Sequence, residues 1–130
     1  MQTVKLQYLG KIANIKILEK EFGKLQTDIV IVTQERISHI KDRHPEDYNL
    51  FEQYAEKCVV SPDMILKDSK HNGTVFMLKQ LPDTNLNIVV RVALDTDEKG
   101  LKNSIMTFYR IRNKNMKKLI EKHEILYKRE

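Results

Sequence analysis

The sequence contains one cysteine, no tryptophan, four glycines and three prolines in 130 residues. With Cys58 alone, no disulfide can form within the chain, so the fold needs its own core and a reducing compartment fits best. Cys58 itself reads as a small apolar filler at a buried helix end rather than a nucleophile. So little glycine and proline leaves no low-complexity linker, and residues 1–130 read as a single domain, large enough for one core. No stretch approaches the ~18 apolar residues of a membrane span. Lys5 and Lys11 interrupt the apolar start that a signal peptide would need. The chain therefore reads as cytoplasmic, with no membrane partner. A Walker loop, a dinucleotide fingerprint and a nucleophile elbow are also missing, which removes most nucleotide-dependent and hydrolase readings.

What is present is charge. Charged residues make up 32% of the chain, the formal net charge is +5 and the pI is near 9.3. Such a balance favours an anionic partner such as nucleic acid or a phosphate-bearing molecule. The hydrophobic fraction of 41% is ample for a folded core.

The apolar pattern predicts an α+β fold: short N-terminal strands, two helices, a four-stranded antiparallel sheet and a C-terminal helix. Val4–Leu9 alternates as a half-buried strand, Ile12–Leu18 fits strand or helix, and Asp28–Val32 reads as a strand buried on both faces. Thr33 offers an N-cap, and Pro45 ends the helix it starts by His44. A second helix over about Asp47–Lys57 carries Leu50, Phe51, Tyr54 and Ala55 at helical spacing, and Ser61-Pro62-Asp63 closes it. Four strands follow: Met64–Leu66, Thr74–Leu81, Leu86–Leu94 and Ser104–Ile111, with a hairpin signal at His71-Asn72-Gly73. Asn113–Lys122 reads as a lysine-rich amphipathic helix, and all helices are expected on one face of the sheet.

The densest chemistry lies in His39-Ile40-Lys41-Asp42-Arg43-His44-Pro45-Glu46. Histidine can give and take a proton near neutral pH, and arginine forks onto phosphate oxygens. Arg36, His39 and Arg43 fall within about 60° of one another in helical projection, as one basic stripe. His44 lies past the last regular turn and is aimed by the Pro45 bend. The bland alternative is a solvated basic face with His44 at a favourable helix end. On the last strand, Thr107 and Tyr109 share a face and could position a phosphate, although both are ordinary strand residues. Arg91 and Lys79 place cations within strands, where each either faces solvent or lines a site. Arg36, Lys79 and Arg110 are candidate phosphate contacts. His39 and His44 lack the spacing of a helical zinc pair, and His71 and His123 join no cysteine cluster, so neither metal nor cofactor is expected.

Leu9-Gly10-Lys11-Ile12, Asp28–Thr33, His39–Glu46, Val60-Ser61-Pro62-Asp63 and Ile105–Tyr109, in that order, resemble the ribonuclease superfamily of barnase, EndoU, colicin-type and RelE-like nucleases. The likeness is to its phage-associated domains and runs from about Tyr8 to Arg112. It implies helices followed by a four-stranded antiparallel sheet, and a metal-independent RNA-cleaving toxin or effector. It carries His39 or His44 over as acid or base, Thr107 and Tyr109 as the hydroxyl-bearing strand, and Arg91 or Lys79 as the strand cation. The expected reaction is attack by the substrate's own 2′-hydroxyl to leave a 2′,3′-cyclic phosphate, with RNA as partner and a cognate inhibitor protein as a candidate second one. The alternative is a basic module that binds nucleic acid or a protein without cutting.

Overall fold

The computed structural model describes residues 6–130. Val4 and Lys5, the start of the first expected strand, lie outside the described residues. Strand β1 (Leu6–Lys11) and helix α1 (Ile15–Phe22) lead to β2 (Ile29–Thr33), α2 (Gln34–Arg43) and α3 (Pro45–Val60). Then come β3 (Met64–Lys67), β4 (Thr74–Gln80), β5 (Asn85–Arg91), β6 (Asn103–Ile111), α4 (Asn113–Lys122) and β7 (Glu124–Lys128).

The fold is α+β, as the pattern predicts, but the sheet is larger than four strands. Seven strands pair in the order β1-β2-β6-β5-β4-β3-β7. β3 to β6 form the expected antiparallel run, while β2 joins β6 in parallel at Val30–Asn103 and Ile31–Ser104. β7 was not foreseen. It pairs antiparallel with β3, a strand sixty residues earlier, so no hairpin turn announces it.

The helices do not all lie on one face. Ile37, Ile40, Phe51, Ala55 and Val59 from α2 and α3 pack on Val30, Met77, Ile88, Val90, Ile105 and Phe108. On the opposite face, Met116, Leu119 and Ile120 of α4 cover Leu66, Leu78 and Ile111. Strand alternation explains the division: Met77 and Leu78 are neighbours in β4 yet belong to different cores. β2 is accordingly buried on one face only, with Val30 and Val32 covered and its other residues half-exposed.

The local signals act as their chemistry predicts. Thr33 Oγ1 accepts from Arg36 N at 3.2 Å and caps α2. Phe51 and Ala55 are buried in the helix stripe, with Leu50 and Tyr54 packed partly against the core. Cys58 is fully buried, and burial pushes its thiol up to about 12, so it is an inert filler at neutral pH. Among the described residues no helix is long and apolar enough to cross a membrane.

Candidate active site

His44 is the single-residue joint between two helices. Its N–H donates to Ile40 O at 2.8 Å, closing α2, and its carbonyl accepts from Asp47 N at 2.9 Å, opening α3. Pro45, at the first position of α3, excludes its predecessor from the α region, and His44 adopts φ −137° and ψ 63°. The bend separates His44 from its helix neighbours and brings its imidazole beside Tyr109, with ring centroids 6.5 Å apart.

β6 offers an open edge here. β2 ends at Thr33, where α2 begins, so β6 has a parallel partner only near its start. Further along, Asp47 occupies the vacant side. Its Oδ2 accepts from the Arg110 backbone N–H at 3.4 Å, and its Oδ1 accepts from the Arg110 Nε. Glu46 Oε1 lies 3.7 Å from Arg110 Nη2, so two carboxylates fix the guanidinium. Asp47 Oδ2 also stands 3.9 Å from His44 Nδ1. With its side chain only 5% exposed, this carboxylate lies behind the imidazole and the guanidinium, both of which reach solvent.

Tyr109 is held from the other side. Asn87, at the opposing position on β5, donates from Nδ2 to Tyr109 Oη at 2.9 Å. The phenol oxygen is the acceptor in that bond, so its own proton is available to another acceptor. Asn87 is completely buried, and its Oδ1 has no partner. An unpaired buried carbonyl costs about 1–3 kcal/mol, so this strand position is not optimised for stability.

These groups open on a cleft of about 680 Å³ between the start of α3, the β4–β5 loop and the end of β6. His44, Asp47, Thr84, Tyr109, Arg110 and Arg112 are among its walls. Asn85 Nδ2 donates to Asn113 Oδ1 at 2.5 Å, fixing the start of α4 beside the cleft. The walls combine a proton-transfer group with a carboxylate behind it, a phenol, and cations that can face a phosphate.

Of the residues singled out in the sequence, His44, Tyr109 and Arg110 meet in this cleft. Arg36, His39 and Arg43 lie on α2 outside it, with His39 and Arg43 exposed. Thr107 sits one alternation before Tyr109, half-buried opposite Val89, and does not line the cleft. Arg91 is at the far end of β5. It donates to Val92 O at 2.6 Å, lies 3.3 Å from Asp97 Oδ1 and rests against Gly73, where a side chain would collide with it. Lys79 donates to Ser61 O at 2.7 Å and stands 3.9 Å from Asp63. Both strand cations are thus engaged in tying loops to the sheet.

Asp47, Asn87, Thr84 and Arg112 were not anticipated. Asp47 looks like an ordinary acidic residue in a first helical turn, and only the open edge of β6 gives it Arg110. Asn87 did leave a signal: an amide inside Leu86-Asn87-Ile88-Val89-Val90 interrupts a buried run as Arg91 does. Among the described residues, no group of three or more His, Cys, Asp or Glu is arranged to hold a metal ion.

A family model described as phage-Barnase-EndoU-ColicinE5/D-RelE like nuclease2 matches residues 5–128. No curated protein and no solved structure matches the chain. The family match spans the sheet, the helix joint at His44 and both walls of the cleft, and so the chain belongs to the phage-Barnase-EndoU-ColicinE5/D-RelE like nuclease2 family.

Proposed function

We propose that this nuclease is an endoribonuclease in which His44 and Tyr109 flank the scissile phosphate. His44 removes the proton of the substrate's 2′-hydroxyl, whose oxygen forms a bond to phosphorus as the bond to the 5′-oxygen breaks. Tyr109 gives its phenolic proton to that leaving oxygen, and both groups recover their starting states by proton exchange with water. Arg110 and Arg112 face the charge that grows on the phosphate oxygens. Asp47 holds Arg110 and stands behind the imidazole of His44. The products are a 2′,3′-cyclic phosphate and a free 5′-hydroxyl.

The observation that supports this reading most is the meeting of His44 and Tyr109 in one cleft, 6.5 Å apart, with Asp47 behind. The positive charge comes from arginine, so cleavage is expected to persist in chelator, and DNA, lacking the nucleophile, is expected to survive. The test incubates purified protein with end-labelled RNA in chelator, beside His44→Ala and Tyr109→Phe variants, and identifies the product termini. Full cleavage by His44→Ala, loss of cleavage with chelator, or equal cutting of DNA would overturn the mechanism. Binding of RNA and DNA alike without any cleavage would favour a non-catalytic basic module. A toxin role with a cognate inhibitor that covers the cleft predicts that cells tolerate His44→Ala but not the wild type.

A further inference from the structure

A second cavity, of about 490 Å³, adjoins the first and shares Tyr109, Arg110 and Arg112 with it. Its remaining wall is one face of α4, which supplies Asn115, Lys118 and Lys122. The two cavities differ in charge. In the first, Glu46, Asp47 and Asp83 offset Arg110 and Arg112. In the second, no lining residue is a carboxylate, and Arg112, Lys118 and Lys122 add three cations beside Arg110, which Asp47 and Glu46 already hold.

The arrangement follows from the helix period. Met116, Leu119 and Ile120 face the sheet and bury against Leu78 and Ile111. Asn115, Lys118 and Lys122 fall on the flank next to that face, toward β6, at spacings of three and four residues. Lys117 projects roughly 100° or more from each of them, to open solvent, while Lys114, one turn before Lys118 and within about 40° of it, is not among the lining residues. The lysines of α4 are therefore not equivalent: Lys118 and Lys122 line the groove, and Lys117 faces open solvent. Lys118 and Lys122 stand one turn apart, with about 5–6 Å between β-carbons, the scale on which phosphates recur along a single strand. None of Arg112, Lys118 and Lys122 makes an ion pair among the described residues, so their charge is available to a ligand.

We propose that this groove is a flanking subsite for single-stranded RNA, in which Arg112, Lys118 and Lys122 hold backbone phosphates beyond the scissile one. Tyr109, shared by both cavities, marks the point where the strand passes from the reacting phosphate onto α4. The groove adds no chemistry. It makes long single strands better ligands than short ones and gives the bound strand a direction across the protein. The proposal rests on the reading of RNA as substrate, and its test separates the two.

In a His44→Ala background, binding of a single-stranded oligoribonucleotide is measured by fluorescence anisotropy over a salt series. The pair Lys118→Gln and Lys122→Gln is compared with the pair Lys99→Gln and Lys117→Gln, which removes the same charge from exposed positions that line neither cavity. The groove pair is expected to weaken binding about tenfold or more and to reduce the slope of log K against log salt by about 1.4, two phosphate contacts' worth. The surface pair should change the slope far less. In the cleaving enzyme, the groove pair should erase the preference for a long strand over a dinucleoside phosphate. Equal effects from both pairs would mean that only net charge matters, and no effect from either would mean the strand lies elsewhere. Each result overturns the groove. If the wild type cuts no RNA but the groove pair still loses binding, the subsite stands and the ribonuclease reading falls.

Discussion

Asn103, at the start of β6, and Asn87, in the middle of β5, are both wholly buried, and they use their amides differently. Asn103 Oδ1 accepts from Ala93 N at 2.8 Å, while its Nδ2 donates to Thr27 O at 2.9 Å and Ile29 O at 3.0 Å. It ties the start of β2 and the segment after β5 to β6. Arg91, at the same end of the sheet, is similarly occupied by Val92 O and Asp97. Asn87 makes one side-chain bond, to a phenol that faces the cleft, and leaves its Oδ1 unpaired. The contrast separates polar groups whose bonding is completed by the fold from groups whose bonding is not. The first kind stabilises; the second marks where a ligand is expected.

The largest expected effect is at the unfinished end. His44→Ala should lower RNA cleavage by about 10²–10⁴-fold, the usual value of a positioned proton-transfer group. Its unfolding midpoint should stay near that of the wild type, because a half-exposed joint side chain contributes little packing. Arg91→Gln is the matched opposite: cleavage per folded molecule within about twofold, with a measurable loss of stability because its loop contacts go. If Arg91→Gln instead abolished cleavage in a fully folded protein, the division between the two ends of the sheet would collapse.

Next in size is Asn103→Ala. It leaves a buried N–H and carbonyls short of partners, and the expected cost is about 3 kcal/mol in urea unfolding. Cleavage by the folded fraction should be unchanged. Asn87→Ala sharpens the comparison from the other side. It removes one hydrogen bond together with the unpaired carbonyl, so the stability change should be under about 1 kcal/mol after the two contributions offset. Cleavage should still fall about tenfold, since Tyr109 loses the donor that fixes its phenol. An Asn87→Ala protein as unstable as Asn103→Ala but fully active would make Asn87 a second structural amide.

Much of this molecule is legible in its sequence, and the limits have physical causes. Local signals were reliable: Thr33 caps α2, Pro45 breaks the helix at His44, and strand alternation places Phe108 in the core and Tyr109 outside it. Features that depend on distant pairing were not visible. β7 finds its partner at β3, and α4 packs on the face opposite α2 and α3. The site shows the same limit. His44, Tyr109 and Arg110 could be named from residue chemistry, whereas Asp47 acquires its role only because β2 stops short of the second half of β6. Charge within a strand was a misleading guide, because Arg91 and Lys79 find loop partners close by.

The smallest expected effect concerns His39, and it bears directly on how the histidine motif works. His39 and His44 are separated by little sequence, and residue chemistry alone gives them equal claim to the proton. Pro45 breaks that symmetry. It ends α2 at His44 and starts α3 there, so His44 is turned against β6 while His39 stays on the exposed flank of α2. His39→Ala should therefore alter cleavage by less than about twofold and leave stability within about 0.5 kcal/mol, measured as kcat/KM on the same labelled RNA and by urea unfolding. If the bend is what selects His44, Pro45→Ala should move toward equivalence: a helix continued through His44 shifts that imidazole away from Tyr109 and lowers cleavage, even though every side chain of the proposed mechanism is retained. A Pro45→Ala protein with full activity would show that the groups around Tyr109, and not the proline, hold His44 in place.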